Sequence, residues 1–210
     1  MAVRKLSDFK AALVGGGARP NLFEVELTNM PGVPSFNNKD TQDTFEFLCK
    51  GASLPAQNIA SIDVPFRGRQ FKVAGDRTID NWTITIINDE NFLIRNAFEQ
   101  WTQQIANLQD NMGATNPASY QTNAKVFQLG RGSQAASTNA GGEDRATLKA
   151  YQFEGIWPVT VGDIALSYDT GDTIEEFDVE FAVQSIRLIS PQRESPAVSD
   201  TTGVTEGVSG

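Results

Sequence analysis

Histidine is absent from this chain of 210 residues, and cysteine occurs once. The chain therefore lacks the side chain that most often acts as a general base near pH 7 or as a metal ligand. The single Cys49 cannot form an intrachain disulfide, as is common in proteins made in a reducing cytoplasm. No apolar run approaches the ~18 residues of a membrane span, and no apolar segment follows Met1–Lys5 as in a signal peptide. We expect no membrane segment, and an enzyme becomes a less favoured interpretation.

Basic residues are also few, with 17 Lys and Arg against 26 Asp and Glu and a net charge of −9. Residues 1–105 carry 11 basic and 12 acidic groups, whereas residues 106–210 carry 6 basic and 14 acidic groups. Proteins that bind nucleic acid rely on Lys and Arg to neutralise phosphates. An acidic chain would instead repel a polyanion, or its charge would simply keep it soluble. Composition leaves both interpretations open.

Apolar and polar residues alternate in several short segments, which is the period of a β-strand with one buried face. Strands are also predicted over 125–129 and 147–154, and a hairpin over 164–168 and 176–184 around the turn Asp169–Asp172. The alternating segments are Phe23–Leu27, Phe45–Cys49, Trp82–Ile86 and Phe177–Val183.

One apolar stripe at helical spacing predicts a long helix over residues 89–107 that packs on a sheet. Asn88, Asp89 and Glu90 would supply its N-cap. About eight strands and one helix, without βαβ alternation, predict a mainly-β fold: an antiparallel β-sandwich or barrel with one packed α-helix.

Small and flexible residues suggest how the chain is divided. Gly15–Gly17 would stop a helix and act as a hinge, and they lack the GK[ST] ending of a phosphate loop. We predict an N-terminal arm over 1–17, a β-sandwich domain over 18–189, and a flexible C-terminal extension over 190–210 that is rich in Ser, Thr and Gly.

No segment predicts catalysis or ligand chemistry. Asp169-Thr170-Gly171 is the tripeptide of aspartic proteases, but such a site needs two carboxylates and the chain holds one copy. The acids from Asp169 to Glu176 lack the spacing of an EF-hand calcium loop. We interpret them as a turn and a solvated acidic surface, and we expect no catalytic residue, no cofactor and no metal.

Basic residues cluster in one place, where acids are interleaved with them. A nucleic-acid site would carry the basic residues without the acids. Mixed signs favour a contact that sets the orientation between protein subunits. The candidates for such a contact are Arg67, Arg69, Lys72, Asp76, Arg77 and Asp80.

The segment Val64–Glu90, which contains this cluster, resembles the tail tube proteins of T4-like contractile-tailed bacteriophages. Its most specific part is VAGDRTIDNWT, residues 73–83. Weaker matches lie on both sides of this segment and keep the family's order. They are Ala18–Phe23, Phe47–Pro55, Gly155–Pro158, Gly162–Ile164 and Ile174–Ala182. Residues 29–43, residues 130–146 and the chain beyond Arg187 fit poorly and read as insertions or extensions.

The resemblance implies a structural protein that catalyses nothing. It implies hexameric rings whose sheets join around a lumen, stacked into a tube that conducts the genome inside a contractile sheath. The implied partners are further copies of the chain, the tail sheath protein, a baseplate tube initiator and a tape-measure protein, with DNA passing through without specific binding. The implied location is the virion tail, after assembly in the host cytoplasm. Two alternatives stay open: the inner tube of a contractile injection or type VI secretion system, and a ligand-binding β-sandwich unrelated to phages.

Two sets of residues follow from this interpretation. The segment from Arg67 to Asp80 is expected to project as a loop or hairpin and contact the adjacent ring. Acids on the polar faces of the alternating strands are expected to line the lumen if they do not face outward. These lumen candidates are Glu24, Glu26, Glu46, Asp178 and Glu180.

Overall fold

The computed structural model describes residues 5–13, 17–131, 147–169 and 171–189. Every strand pair in these ranges is antiparallel, which confirms the predicted mainly-β antiparallel class. The helices are α1 (Leu6–Ala12), α2 (Lys39–Leu48) and α3 (Leu93–Ile105). The strands are β1 (Phe23–Leu27), β2 (Cys49–Ala52), β3 (Gln57–Phe66), β4 (Arg69–Ile79), β5 (Trp82–Ile87), β6 (Thr122–Leu129), β7 (Thr147–Val161), β8 (Glu176–Ala182) and β9 (Ser185–Ile189).

A long and bent β7 joins the two halves of the main sheet. Its first part pairs with β6 and β9, and its last part, from Trp157, pairs with β8. The strand order is β1-β6-β7-β8-β5-β2, with β9 beside β7. Gly155 lies near the change of partner with a φ of 64°, a left-handed conformation that favours glycine. A Cβ at this position would lie 2.9 Å from Cγ of Gln184, so the bend requires the missing side chain.

The inner face of the sheet carries an aromatic core. The ring of Trp82 stacks on Phe153 and on Phe181, with centroid distances of 4.7 and 5.2 Å. Trp82, Ile84 and Ile86 are buried along β5, and β8 follows the same alternation, as predicted. Burial of apolar area at roughly 25 cal/mol per Å² makes these strands the stable centre of the fold.

Helix α3 covers this core with the predicted apolar stripe. Ile94, Ala97, Phe98 and Trp101 are buried on one side of the helix. The helix begins at Leu93, later than predicted, and the Asp89 carboxylate accepts a hydrogen bond from the Leu93 backbone N at 3.0 Å. The prediction that residues 88–90 supply the N-cap was wrong, because Phe92 occupies that position with a left-handed φ of 51° and caps with no side chain. Asp89 still satisfies one of the free N–H groups of the first turn.

The prediction of a strand over Phe45–Cys49 was wrong, because α2 occupies most of that segment. The Asn38 side chain caps α2 by accepting a hydrogen bond from the Thr41 backbone N at 2.8 Å. Thr41 and Phe45, four residues apart, face the core, whereas Phe47 is 85% exposed. A polar N-cap and a buried pair at helical spacing thus outweighed the short alternation, and β2 begins only at Cys49.

Three other segments differ from the sequence analysis. Residues 164–168 form no strand but lie in the loop 162–175, which is called the β7–β8 loop below, while β8 pairs with β5 and β7. Strand β9 was not predicted. Residues 29–43, interpreted as an insertion, contribute fully buried Met30, Val33 and Phe36 to the main core.

Candidate assembly surfaces

Strands β3 and β4 form a separate two-stranded hairpin, residues 57–79, which is called the hairpin below. Its residues are exposed throughout apart from partial burial near its base at Gly75 and Ile79. The turn residues Arg67 and Gly68 have φ values of 44° and 81°. Positive φ at both positions is the requirement of a type I′ turn, whose twist suits a tight hairpin. The structure therefore agrees with the prediction that the segment from Arg67 to Asp80 projects as a loop or hairpin, and within it β4 continues to Ile79.

The outer half of the hairpin has one apolar face and one polar face. Val64 pairs with Phe71 and Ile62 pairs with Val73, so their side chains lie on the same face. Phe66 continues this face next to the turn, and both phenylalanines are about two-thirds exposed, at 67% and 66%. Asp63 and Lys72 pair on the opposite face. A contiguous exposed apolar face rimmed by polar residues is typical of a protein contact site.

The hairpin gathers the predicted contact residues. Arg67 lies in the turn, with its guanidinium carbon 5.4 Å from the centroid of the Phe66 ring. Asp80 follows the end of β4 and accepts a hydrogen bond from the Asn58 side chain at 3.1 Å, so it lies at the base. Arg69, Lys72, Asp76 and Arg77 lie between these two points on β4.

The hairpin is basic in an acidic chain. Its residues 57–79 include four basic side chains and two acidic ones, a net charge of +2, whereas the whole chain carries −9. Within the described part of the chain, no ion pair involves Arg67, Arg69, Lys72 or Arg77. The described residues therefore provide no ion-pair partner for these four cations.

The outer face of β8 is acidic. The Asp178 carboxylate accepts a hydrogen bond from the Thr85 hydroxyl at 2.6 Å, and the Glu180 carboxylate accepts one from the Asn81 amide at 2.9 Å. Glu176 forms an ion pair with Lys50 at 2.5 Å. Lys50 offsets one of the three acidic charges on this strand, so the surface stays negative.

The other lumen candidates lie elsewhere. Glu24 and Glu26 lie on β1, where the Glu26 carboxylate is 3.7 Å from Nζ of Lys125 on β6. The same half of the sheet carries the pair Arg187–Glu154, so its outer surface has mixed charge. Glu46 lies on α2, and its placement on a strand was wrong because the Asn38 cap starts a helix there. The five acids thus occupy three surfaces: the β8 surface, the β1 surface with mixed charge, and α2, which is also acidic.

The described residues offer little chemistry. Burial raises the pKa of the Cys49 thiol to about 12, with a smaller opposing effect from the Gly51 backbone, so the thiol stays protonated at neutral pH. In these ranges no group of three or more Cys, Asp or Glu is arranged to hold a metal ion. No helix described there is long and apolar enough to cross a membrane.

Sequence reasoning missed exposed apolar surfaces outside the hairpin. Leu6 and Phe9 on α1 are exposed, as is Phe47 on α2. Leu166 and Ile174 in the β7–β8 loop are also exposed. For the loop the available signal was the presence of apolar side chains in a segment that carries acids but no Lys or Arg.

Comparison with known proteins identifies the family. Residues 18–186 match the family model described as phage tail tube protein. The tail tube protein gp19 of Enterobacteria phage T4 is 33% identical over 169 residues, which span 80% of this chain and 90% of the relative. The tail tube protein of Serratia phage KSP90 is 26% identical over 176 residues, which span 82% of this chain and 90% of the relative.

Solved structures show the same fold at much lower identity. A chain of the anti-feeding prophage baseplate superposes with a TM-score of 0.55 at 11% identity, covering 84% of this chain and 98% of that chain. A chain of the PVC sheath–tube complex, an extracellular contractile injection system, superposes with a TM-score of 0.51 at 13% identity. The superposition covers 90% of this chain and 99% of that chain. The match over residues 18–186 and the identity to the T4 protein go further than the fold, and the chain belongs to the phage tail tube protein family.

Proposed function

We propose that this protein builds the inner tube of a contractile phage tail, as hexameric rings that stack around a lumen through which the genome passes. The observation that carries the proposal is the hairpin: an exposed, basic and partly apolar element on a subunit of this family. A monomer gains nothing from ordering such an element in water. A second copy that covers the hairpin would bury its apolar face, and this burial would offset the entropy cost of ordering it.

Stacking is assigned to the hairpin. Phe66 and Phe71 supply apolar area, and Arg67, Arg69, Lys72, Asp76, Arg77 and Asp80 supply charges that fix the orientation between rings. Contacts between two different surfaces that do not close on themselves generate open filaments, which is what a tube requires. Reversal of charge at Arg69 or Arg77 is expected to block stacking and to leave ring formation intact.

The lumen is assigned to the acidic outer face of β8. Asp178 and Glu180 would repel the phosphates of passing DNA, so the polymer would not bind to the wall. Glu24, Glu26 and Glu46 are weaker candidates, because they lie on other surfaces and Glu26 is paired with Lys125.

The remaining partners follow from the family. The tail sheath protein would surround the tube, a baseplate tube initiator would start it, and a tape-measure protein would occupy it before DNA. The chain would be assembled in the host cytoplasm, reside in the virion tail and have no catalytic role. The arm over 1–17 and the extension over 190–210 would become ordered against neighbouring subunits, and the latter lies outside the described residues.

A phage tail is favoured over an injection system by sequence. The phage relative is 33% identical, whereas the injection-system chain is 13% identical and shares the fold alone. Negative-stain microscopy and light scattering of the purified protein test the proposal. Six-fold rings or tubes are expected. A monodisperse monomer at high concentration and varied salt would overturn it.

A further inference from the structure

The main sheet carries contrasting surfaces at its two ends. The hairpin leads directly into Trp82, the first residue of β5, which pairs with Phe181 near the end of β8. The β7–β8 loop leads into Glu176, which pairs with Ile87 at the other end of β5. The six residues of β5 set the two attachment points about 17 Å apart, at ~3.4 Å per residue. The base of the hairpin and the β7–β8 loop therefore lie at opposite ends of the same two strands.

The β7–β8 loop is acidic where the hairpin is basic. Residues 162–175 include Asp163, Asp169, Asp172 and Glu175 and no Lys or Arg. Among the residues that the structure describes, none forms an ion pair with any of these four acids. The described residues therefore leave the charges of the loop without ion-pair partners, as they do those of the hairpin.

Arg95, which contacts the start of the loop, already pairs with another acid. Arg95 of α3 donates to the Gly162 carbonyl at 2.5 Å and forms an ion pair with Glu99 at 2.8 Å. Its guanidinium carbon also lies 5.1 Å from the centroid of the Phe177 ring. Arg95 thus fixes the start of the loop but leaves its exposed acids without a basic partner.

The loop also offers apolar surface and a concave site. Leu166, Tyr168 and Ile174 are exposed, and Tyr168 is fully so. A cavity of about 240 Å³ is lined by residues 164–167 and 173–176, including Leu166 and Ile174. The hairpin offers apolar area and the opposite charge, because it carries exposed Phe66 and Phe71 on one face beside the basic turn.

We propose that the hairpin of one copy docks on the β7–β8 loop of a second copy in the adjacent ring. The apolar face of the hairpin covers Leu166, Tyr168 and Ile174, and Arg67 and Arg69 approach Asp169 and Asp172. This inference rests on the proposed stacking and names the surface that receives the hairpin. The contact joins two different patches at opposite ends of a sheet, so each added ring exposes a fresh site for the next.

Charge exchange between the two surfaces tests the pairing. One variant carries Arg67→Glu with Arg69→Glu, and the other carries Asp169→Lys with Asp172→Lys. Each variant alone is expected to form rings that fail to stack, because like charges then face each other. An equimolar mixture is expected to form tubes of alternating composition, because both of its contacts are complementary. A control with Asp40→Lys and Asp110→Lys carries the same charge change on other surfaces and should form tubes like the wild type.

A cross-link provides an independent measurement. Phe66→Cys and Leu166→Cys are made in separate chains, mixed and oxidised, while the buried Cys49 stays unreactive. A disulfide-linked dimer in the mixture, absent from either variant alone, is the expected result. If wild-type tubes form but the loop variant also forms tubes and the mixture gives no cross-link, the docking proposal is wrong and the tube proposal stands. If the wild type forms neither rings nor tubes, both fail.

Discussion

Trp82 shows how one residue links the strand pattern to the stability of the whole subunit. Its indole is fully buried and stacked between Phe153 of β7 and Phe181 of β8. It therefore holds together strands that are far apart in sequence. The alternation Trp82–Ile84–Ile86 predicted its burial, but the aromatic partner Phe153 lies on a strand distant in sequence, so no short pattern reveals the contact.

Replacement of this side chain gives the first prediction. Trp82→Ala should lower the free energy of unfolding by about 3–5 kcal/mol, because it removes a large buried ring and leaves a cavity. Phe66→Ala, which truncates an exposed aromatic, should change it by less than about 0.5 kcal/mol. Urea denaturation of the unassembled subunit compares the two, and equal effects would contradict the described core.

Cys49 gives a second prediction at this scale. Because burial raises the thiol pKa to about 12, the folded chain should react with a maleimide at pH 8 far more slowly than the urea-unfolded chain. The thiol ionises near its ordinary pKa of 9.0 in the unfolded chain but only near 12 in the folded chain. The contribution of Cys49 to the free energy of unfolding is therefore fully present below pH 9.0 and falls as the pH rises toward 12. Rapid labelling of the folded chain would show that Cys49 is not buried.

At the scale of elements, residue patterns predicted the strands that have one buried face and one exposed face. The prediction was wrong where a strand pattern and a helix pattern overlapped in the same segment. The stripe Ile94–Trp101 is long enough to define α3 without ambiguity. Phe45, Phe47 and Cys49 match a strand, yet the cap at Asn38 makes the segment helical. Strand β9 was missed because its pairing with β7 depends on the fold rather than on its own sequence.

The hairpin allows a test with a control on the same strand. Phe71→Ser should weaken or abolish stacking of rings, because it removes apolar area from the face assigned to the contact. Gln70→Ser lies on the opposite face and should leave stacking unchanged. Sedimentation of the two variants separates rings from tubes, and tubes of normal length from Phe71→Ser would show that this face is not the contact.

For the whole molecule, the distribution of charge matters more than its sum. The whole chain has a net charge of −9. Because the hairpin contributes +2, the remaining residues contribute −11. The sequence alone predicted the acidic excess, the basic cluster over residues 67–80 and the acidic segment from Asp169 to Glu176. The placement of the two charged segments at opposite ends of β5 and β8 required the fold. The assignment of the β8 face to the lumen stays a prediction.

That assignment predicts how the tube treats DNA. Asp178→Lys with Glu180→Lys should give assembled tubes a salt-dependent affinity for DNA that the wild type lacks. Loss of the two hydrogen bonds to these acids should cost about 1 kcal/mol each at most, so the fold should persist. DNA retention is measured over a salt series, with the Asp40→Lys and Asp110→Lys tube as control. Equal retention by both tubes would place the β8 face away from the lumen.

The central claim is that rings of this subunit stack through the hairpin, and a cryo-electron microscopy reconstruction of the assembled protein tests it most directly. We expect six subunits per ring, the hairpin buried between successive rings, and the outer face of β8 toward the lumen. An assembly in which the hairpin remains exposed to solvent, or a subunit that forms no ring at any concentration, would contradict it.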